Sequence, residues 1–174
     1  IARRLPEARV LAIEASPFMI IAGRVQNADV ANLHFAQGFA EQSGLASGSV
    51  DAVAITLVLH ECPDAVKRAL LGEVRRVLKA SGVFALVDNV VPAGSVGDYV
   101  NAFERLRDPS HLRAWTMEEW RAALKAAGLT VFHVVPSLRA ALKAVDAGVD
   151  GLVVEGSEGG GFKNPRDVSS MVLL

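Results

Sequence analysis

His60 and Glu61 are the residues of this chain best placed to do chemistry. They follow a continuous apolar run, Val50–Leu59, and precede an amphipathic segment, Asp64–Lys79. Such a run reads as a strand covered on both faces, and open parallel sheets bind ligands at the carboxyl ends of their strands. An imidazole beside a carboxylate at that edge can act on a bound small molecule. The plainer reading is that the pair opens the helix that follows. His34, His111 and His133 lack metal-ligand spacing, so surface or packing roles are expected and no metal site is. Cys62, next to Pro63, is expected to be a bystander rather than a nucleophile.

These side chains need elements to hold them. Ala8–Ala15 is a short apolar run between Pro6 and Ser16-Pro17 and reads as a buried strand. Ser16 can cap a helix with Pro17 at its first position, running to about Asn32. His34–Phe39 is a weaker strand, and Glu41–Gly48 a polar loop. In Asp64–Lys79, Leu70, Val74, Val77 and Leu78 repeat at helical spacing, with Lys67, Arg68, Glu73, Arg75 and Arg76 expected on the wet side. Ser81-Gly82 is expected to end that helix, and Val83–Asp88 to be the next strand. Val91–Gly97 reads as a loop and Asp98–Leu106 as a helix. Thr116, with Glu118 and Glu119 in the first turn, opens another helix that Gly128 closes, and Trp115 and Trp120 are expected to pack around its start. Leu129–Val135, Ser137–Ala147 and Gly151–Glu155 continue as strand, helix and strand. Ser157–Pro165 is a glycine-rich loop, and Arg166–Leu174 begins a further helix. This alternation predicts an α/β fold, a three-layer sandwich around a mostly parallel sheet.

Composition narrows the partners. With 18 basic and 19 acidic residues among 174, the chain has no electrostatic footprint for nucleic acid. No apolar run reaches the roughly 18 residues that span a membrane. One cysteine excludes an internal disulfide and a cysteine-based zinc cluster, which fits a reduced, cytoplasmic setting. The chain begins at Ile1, in what reads as the last turn of a helix, and stops at Leu174 inside an apolar run. It is expected to be a piece of a longer protein.

Four segments, in this order, resemble class I S-adenosylmethionine (SAM)-dependent methyltransferases. In Val10–Met19 (VLAIEASPFM), Glu14 matches the acid that accepts the ribose hydroxyls, with Ala15 beside it, and Met19 matches a residue near the adenine. In Phe35–Glu41 (FAQGFAE), Phe39 stands where the family usually has an aspartate for the adenine amino group, which leaves stacking by Phe39 and backbone groups near Ala40. In Val50–Glu61, Thr56 and Leu57 match the strand end that lines the methionine and sulfonium, and His60 and Glu61 match a polar pair near the substrate. Glu73–Asp88 resembles the family's helix–turn–strand, with Ala80 and Ser81 in place of a proline and a glycine. His111–Leu129 looks like its late helix and following strand. The resemblance implies SAM as methyl donor and a small-molecule acceptor. The family's first strand and glycine-rich loop precede the acid-bearing strand, and nothing before Val10 supplies them. The resemblance therefore implies a truncated Rossmann-like methyltransferase domain over residues 1–133, with weak or absent SAM binding by these residues alone and self-association through exposed sheet edges.

Val135–Leu174 resembles instead part of the FMN-dependent barrel family that includes nitronate monooxygenase. Ala147-Gly148-Val149-Asp150 precedes a strand, and Glu155-Gly156 precedes Gly159-Gly160-Gly161, which in that family approach the flavin or its phosphate. Phe162 stands where the family commonly has a catalytic histidine. Residues 134–174 are thus expected to be an extra βα unit resembling part of an FMN-binding TIM barrel. Three readings follow: an incomplete SAM methyltransferase, a fragment of a flavin oxidoreductase, or a non-catalytic fusion remnant.

Overall fold

The computed structural model describes residues 1–135 and 138–154, and these form two compact units. The first comprises Ile1–Ala54 and Ala65–Ala85; the second comprises Ile55–Asp64 and the described residues from Leu86 onward.

In the first unit, strand β1 (Val10–Glu14) pairs in parallel with β2 (Leu33–Gln37), with Val10 opposite Leu33 and Glu14 opposite Gln37. Between them runs helix α1 (Pro17–Gln26), whose Ser16 Oγ accepts from the Met19 N–H at 3.4 Å. The helix stops short of Asn32 because Asn27 caps it: both its backbone N–H and its side-chain amide donate to the Gly23 carbonyl. Asn32 has another task, since its amide contacts the carbonyls of Ala2, Leu5 and Ala8 and ties down the N-terminal turn. Helix α1 buries Ile20 alone and leaves Phe18, Met19, Ile21 and Val25 exposed.

Strand β3 (Val50–Thr56), helix α2 (Asp64–Val77) and strand β4 (Leu78–Val87) follow. The buried stripe of α2 is Lys67, Leu70, Leu71, Val74 and Val77. Lys67 was expected on the wet side, yet it is fully buried. Three and four residues ahead of Leu70 and Leu71, it lies on their face of the helix. Glu73 also turns inward, accepting from the Ser43 N–H at 2.9 Å and the Ser43 hydroxyl at 2.5 Å, while Arg76 reaches Glu73, Ser47 Oγ and the Leu45 carbonyl. Ser81-Gly82 does not end α2. The helix ends at Val77 and passes directly into β4.

β3 and β4 hydrogen-bond as one two-stranded sheet. The Ser49 N–H donates to the Val77 carbonyl and the Leu57 N–H to the Val87 carbonyl, so the strands run the same way. Eight residue steps on β3 thus match ten on β4; β4 carries extra residues as a bulge does. Among the described residues the strands are hydrogen-bonded in three such pairs, β1–β2, β3–β4 and β5–β6.

In the second unit, a short 3-10 turn, Leu59–Glu61, follows β3. Helix α3 (Ser95–Arg107) starts just after Gly94, which has φ of 78°. Its Gly97 is obligatory, because a Cβ there would lie 2.0 Å from the Pro92 carbonyl oxygen. Helix α4 (Met117–Ala126) opens with the expected capping box of Thr116 and Glu119. Trp115 and Trp120 pack with ring centroids 4.7 Å apart, and Trp115 Nε1 donates to Asp64. Strand β5 (Phe132–Val135), helix α5 (Leu138–Asp146) and strand β6 (Gly151–Val154) form a parallel βαβ unit with Phe132 opposite Gly151. No described helix is long and apolar enough to cross a membrane.

Candidate functional site

The parallel register of β1 and β2 brings their carboxyl ends to one edge of the first unit. Glu14 ends β1, and its Oε1 accepts from the Ser16 N–H at 2.8 Å, which holds the carboxylate at the strand end. Ala15 and Met19 follow on the way into α1, and Phe39 and Ala40 follow β2. Two bonds close this edge: Gly38 N–H to the Glu14 carbonyl, and Gln37 Nε2 to the Ala15 carbonyl. Met19 and Phe39 are 61% and 63% exposed, so their apolar faces are open to a ligand.

In the second unit, β3 ends at Thr56 and the chain turns sharply at Leu57, whose φ of 53° lies in the left-handed region. That conformation costs a non-glycine residue roughly 1–2 kcal/mol, and such strain tends to cluster at functional sites. The turn delivers His60 and Glu61. His60 Nδ1 lies 2.7 Å from Asp88 Oδ1. Asp88 follows β4, its side chain is 2% exposed, and it also accepts from the N–H groups of Leu59 and Asn89. An ionised carboxylate only accepts, so Nδ1 carries a proton. Nε2 faces Glu61 Oε1 at 3.9 Å.

The far wall comes from the loop after α3. Leu112 and Arg113 both donate backbone N–H groups to the His60 carbonyl, at 2.9 and 3.0 Å. Ser110 Oγ lies 2.9 Å from Glu61 Oε1 and 2.6 Å from Asp108 Oδ1. The Ser110 hydroxyl is the main cause of an Asp108 carboxyl held below the ordinary range. The His111 ring lies 5.4 Å from that of His60 and is buried. Burial first, then the nearby His60, pushes the His111 pKa down. Asn101 fixes its tautomer. The Asn101 amide exchanges two bonds with Ala114, N–H to Oδ1 at 2.7 Å and Nδ2 to the carbonyl at 3.2 Å. Asn101 Oδ1 is therefore the acceptor, and His111 Nε2 donates to it at 2.9 Å. A cavity of about 180 Å³ lies beside this pair, lined by Asn89, Val90, Glu104, His111 and Ala114 among others. Glu61 and Asp108 are outside its lining and stay open to solvent.

Residues 1–86 match the family described as "Methyltransferase domain". The chain is 40% identical to the uncharacterized methyltransferase YcgJ of Bacillus subtilis over 102 residues, 58% of this chain and 40% of that one. It is 30% identical to the uncharacterized protein YafE of Escherichia coli over 129 residues, 72% of this chain and 61% of that one. The crystal structure of YcgJ superimposes with a TM-score of 0.64 at 33% identity, covering 70% of this chain and 53% of YcgJ. The chain thus has the α/β methyltransferase fold and spans less than two thirds of either relative.

The residues singled out in the sequence by the methyltransferase resemblance fall into two sets. Glu14, Ala15, Met19, Phe39 and Ala40 share the β1–β2 edge, whereas Thr56, Leu57, His60 and Glu61 share the end of β3. Gly159, Gly160 and Gly161 lie outside the described residues. Sequence reasoning missed Asp88, Asn101, Asp108 and Ser110. Asp88 alone left a signal: it follows the strand paired in parallel with β3, so its side chain reaches the same edge as His60.

Proposed function

We propose that this chain serves SAM-dependent methyl transfer to a small-molecule acceptor. The match of residues 1–86 to the methyltransferase domain carries this reading. SAM supplies a methyl group on a sulfonium; the acceptor's lone pair forms the new bond to the methyl carbon as the carbon–sulfur bond breaks, and sulfur keeps the electron pair. The protein's contribution is chiefly alignment. Glu14 suits the ribose, since a carboxylate accepts from two vicinal hydroxyls at once and the Ser16 N–H holds it in place. Phe39 offers an open ring face to the adenine, with Ala40 and Met19 beside it. Thr56 and Leu57 take the methionine side, and His60 and Glu61 the acceptor side.

Thermal-shift and calorimetric titrations with SAM and S-adenosylhomocysteine test this. A rise in melting temperature that disappears in Glu14→Ala supports the proposal. No shift at millimolar ligand overturns it for this chain and leaves the fold as a mark of ancestry.

A further inference from the structure

We propose that His60, Glu61 and Asp108 form a binding site for a divalent cation of the Zn²⁺ or Mn²⁺ type. One ligand atom from each, a ring nitrogen of His60 and a carboxylate oxygen from the other two, lies within 4.8 Å of the others. The acids alone would mean little, because exposed carboxylates often gather on surfaces. The histidine changes this. Its side chain is 9% exposed, and Nδ1 is held by Asp88, so Nε2, 3.9 Å from Glu61 Oε1, is the nitrogen a metal would take from the neutral ring. A metal-ligating histidine almost always donates its other ring N–H to such a partner, which fixes the ring and its tautomer.

The carboxylates add a second argument. Glu61 and Asp108 both approach the Ser110 hydroxyl. That hydroxyl has one proton and can donate to one of them at a time. The Ser110 N–H also donates to Asp108, but two like charges are still held close around one hydroxyl, and a cation among them offsets the repulsion. The backbone sets this geometry before any ion arrives, since the Leu112 and Arg113 N–H groups anchor the loop after Asp108 to the His60 carbonyl.

The distances suit a small ion. Ligand atoms on a tetrahedral Zn²⁺ with bonds of about 2.1 Å sit about 3.4 Å apart. Nε2 and Glu61 Oε1 are 3.9 Å apart and the cluster's three ligand atoms lie within 4.8 Å of one another, so closure of about half an ångström for that pair and at most about 1.4 Å for the others is needed, by a half-exposed Glu61 and an exposed Asp108. Ser110 Oγ is at hand as a fourth donor. An imidazole with two carboxylates favours Zn²⁺ or Mn²⁺ over Ca²⁺, whose ligands are oxygens throughout. With the ion bound, the Nε2 lone pair belongs to the metal, and an acceptor at this edge meets the cation rather than a free imidazole. The inference does not depend on SAM binding.

The test is calorimetric titration of the chelator-stripped chain with ZnCl₂ and MnCl₂, with the electron paramagnetic resonance signal of free Mn²⁺ as a second readout. The expected result is one saturable equivalent. Glu61→Gln and Asp108→Asn, both at solvent-facing positions, should each weaken it by about tenfold or more, the scale that even outer-sphere partners are worth. Glu104→Gln, an acid on α3 outside the cluster, should leave it unchanged. Absence of saturable binding at millimolar metal overturns the proposal, as does an affinity that neither cluster variant alters.

Discussion

The β1–β2 edge and the His60 cluster both sit at the carboxyl ends of paired parallel strands, and they are built in opposite ways. At the β1–β2 edge the candidate residues come from two segments, Glu14–Met19 and Phe39–Ala40, Met19 and Phe39 are exposed, and the Glu14 carboxylate is held from within its own turn, by the Ser16 N–H two residues on, with one side-chain bond across the strands, Gln37 to Ala15. Around His60 the partners are distant in sequence, Asp88 being 28 residues from His60 and Ser110 49 residues from Glu61, and His60 and Asp88 are buried. A local, open edge can be read as a motif and costs little to alter. A cross-linked cluster is held by its partners and fails when one is removed.

Asp88→Ala should have the largest effect. It removes a buried carboxylate from three partners, the Leu59 and Asn89 N–H groups and His60 Nδ1, a loss of about 3 kcal/mol or more, measured by urea unfolding. Glu14→Ala, at the open edge, should cost less than about 1 kcal/mol. Equal costs for the two would break the contrast. Asn101→Ala comes next, at about 2 kcal/mol, because it leaves the Ala114 N–H and carbonyl and the His111 N–H without their partner.

Glu73 tests whether the first unit holds a comparable cross-link away from its edge. Hydrogen bonds from Arg76, then from Ser43, hold its carboxyl down at about 2 against an ordinary 4.5. A folded pKa below the unfolded value means that the stabilisation is complete above about pH 4.5 and disappears as pH falls toward 2. Glu73→Gln should therefore flatten the acid limb of a stability-versus-pH curve in that window, at a cost of about 1–2 kcal/mol at neutral pH; an unchanged acid limb would remove the cross-link from the account. The smallest effect belongs to Leu57. Leu57→Asn keeps a side chain that tolerates positive φ, and stability should rise by up to about 1 kcal/mol, read as a small increase in melting temperature. A fall would show that the half-exposed Leu57 side chain contributes more than its backbone strain costs.

The element order was legible because apolar periodicity and caps are local. Ser16-Pro17, the Thr116–Glu119 box and the run Val50–Thr56 each announced an element that is present. Boundaries and faces were less so. Asn27 ended α1 early through a backbone carbonyl that no pattern revealed. The α2–β4 junction lacks the turn that Ser81-Gly82 suggested, and Lys67 reads as polar although helix geometry places it on the buried stripe.

By itself the sequence determined the strand–helix alternation, the Glu14 and His60 strand ends, and the methyltransferase likeness, because each depends on residues within one element or its flanking turn. Tertiary structure alone decided that Asp88 holds His60, that Asn101 sets the His111 tautomer, and that Asp108 and Ser110 stand beside Glu61. Those pairings depend on where separate elements end in space, and spacing along the chain does not encode that distance.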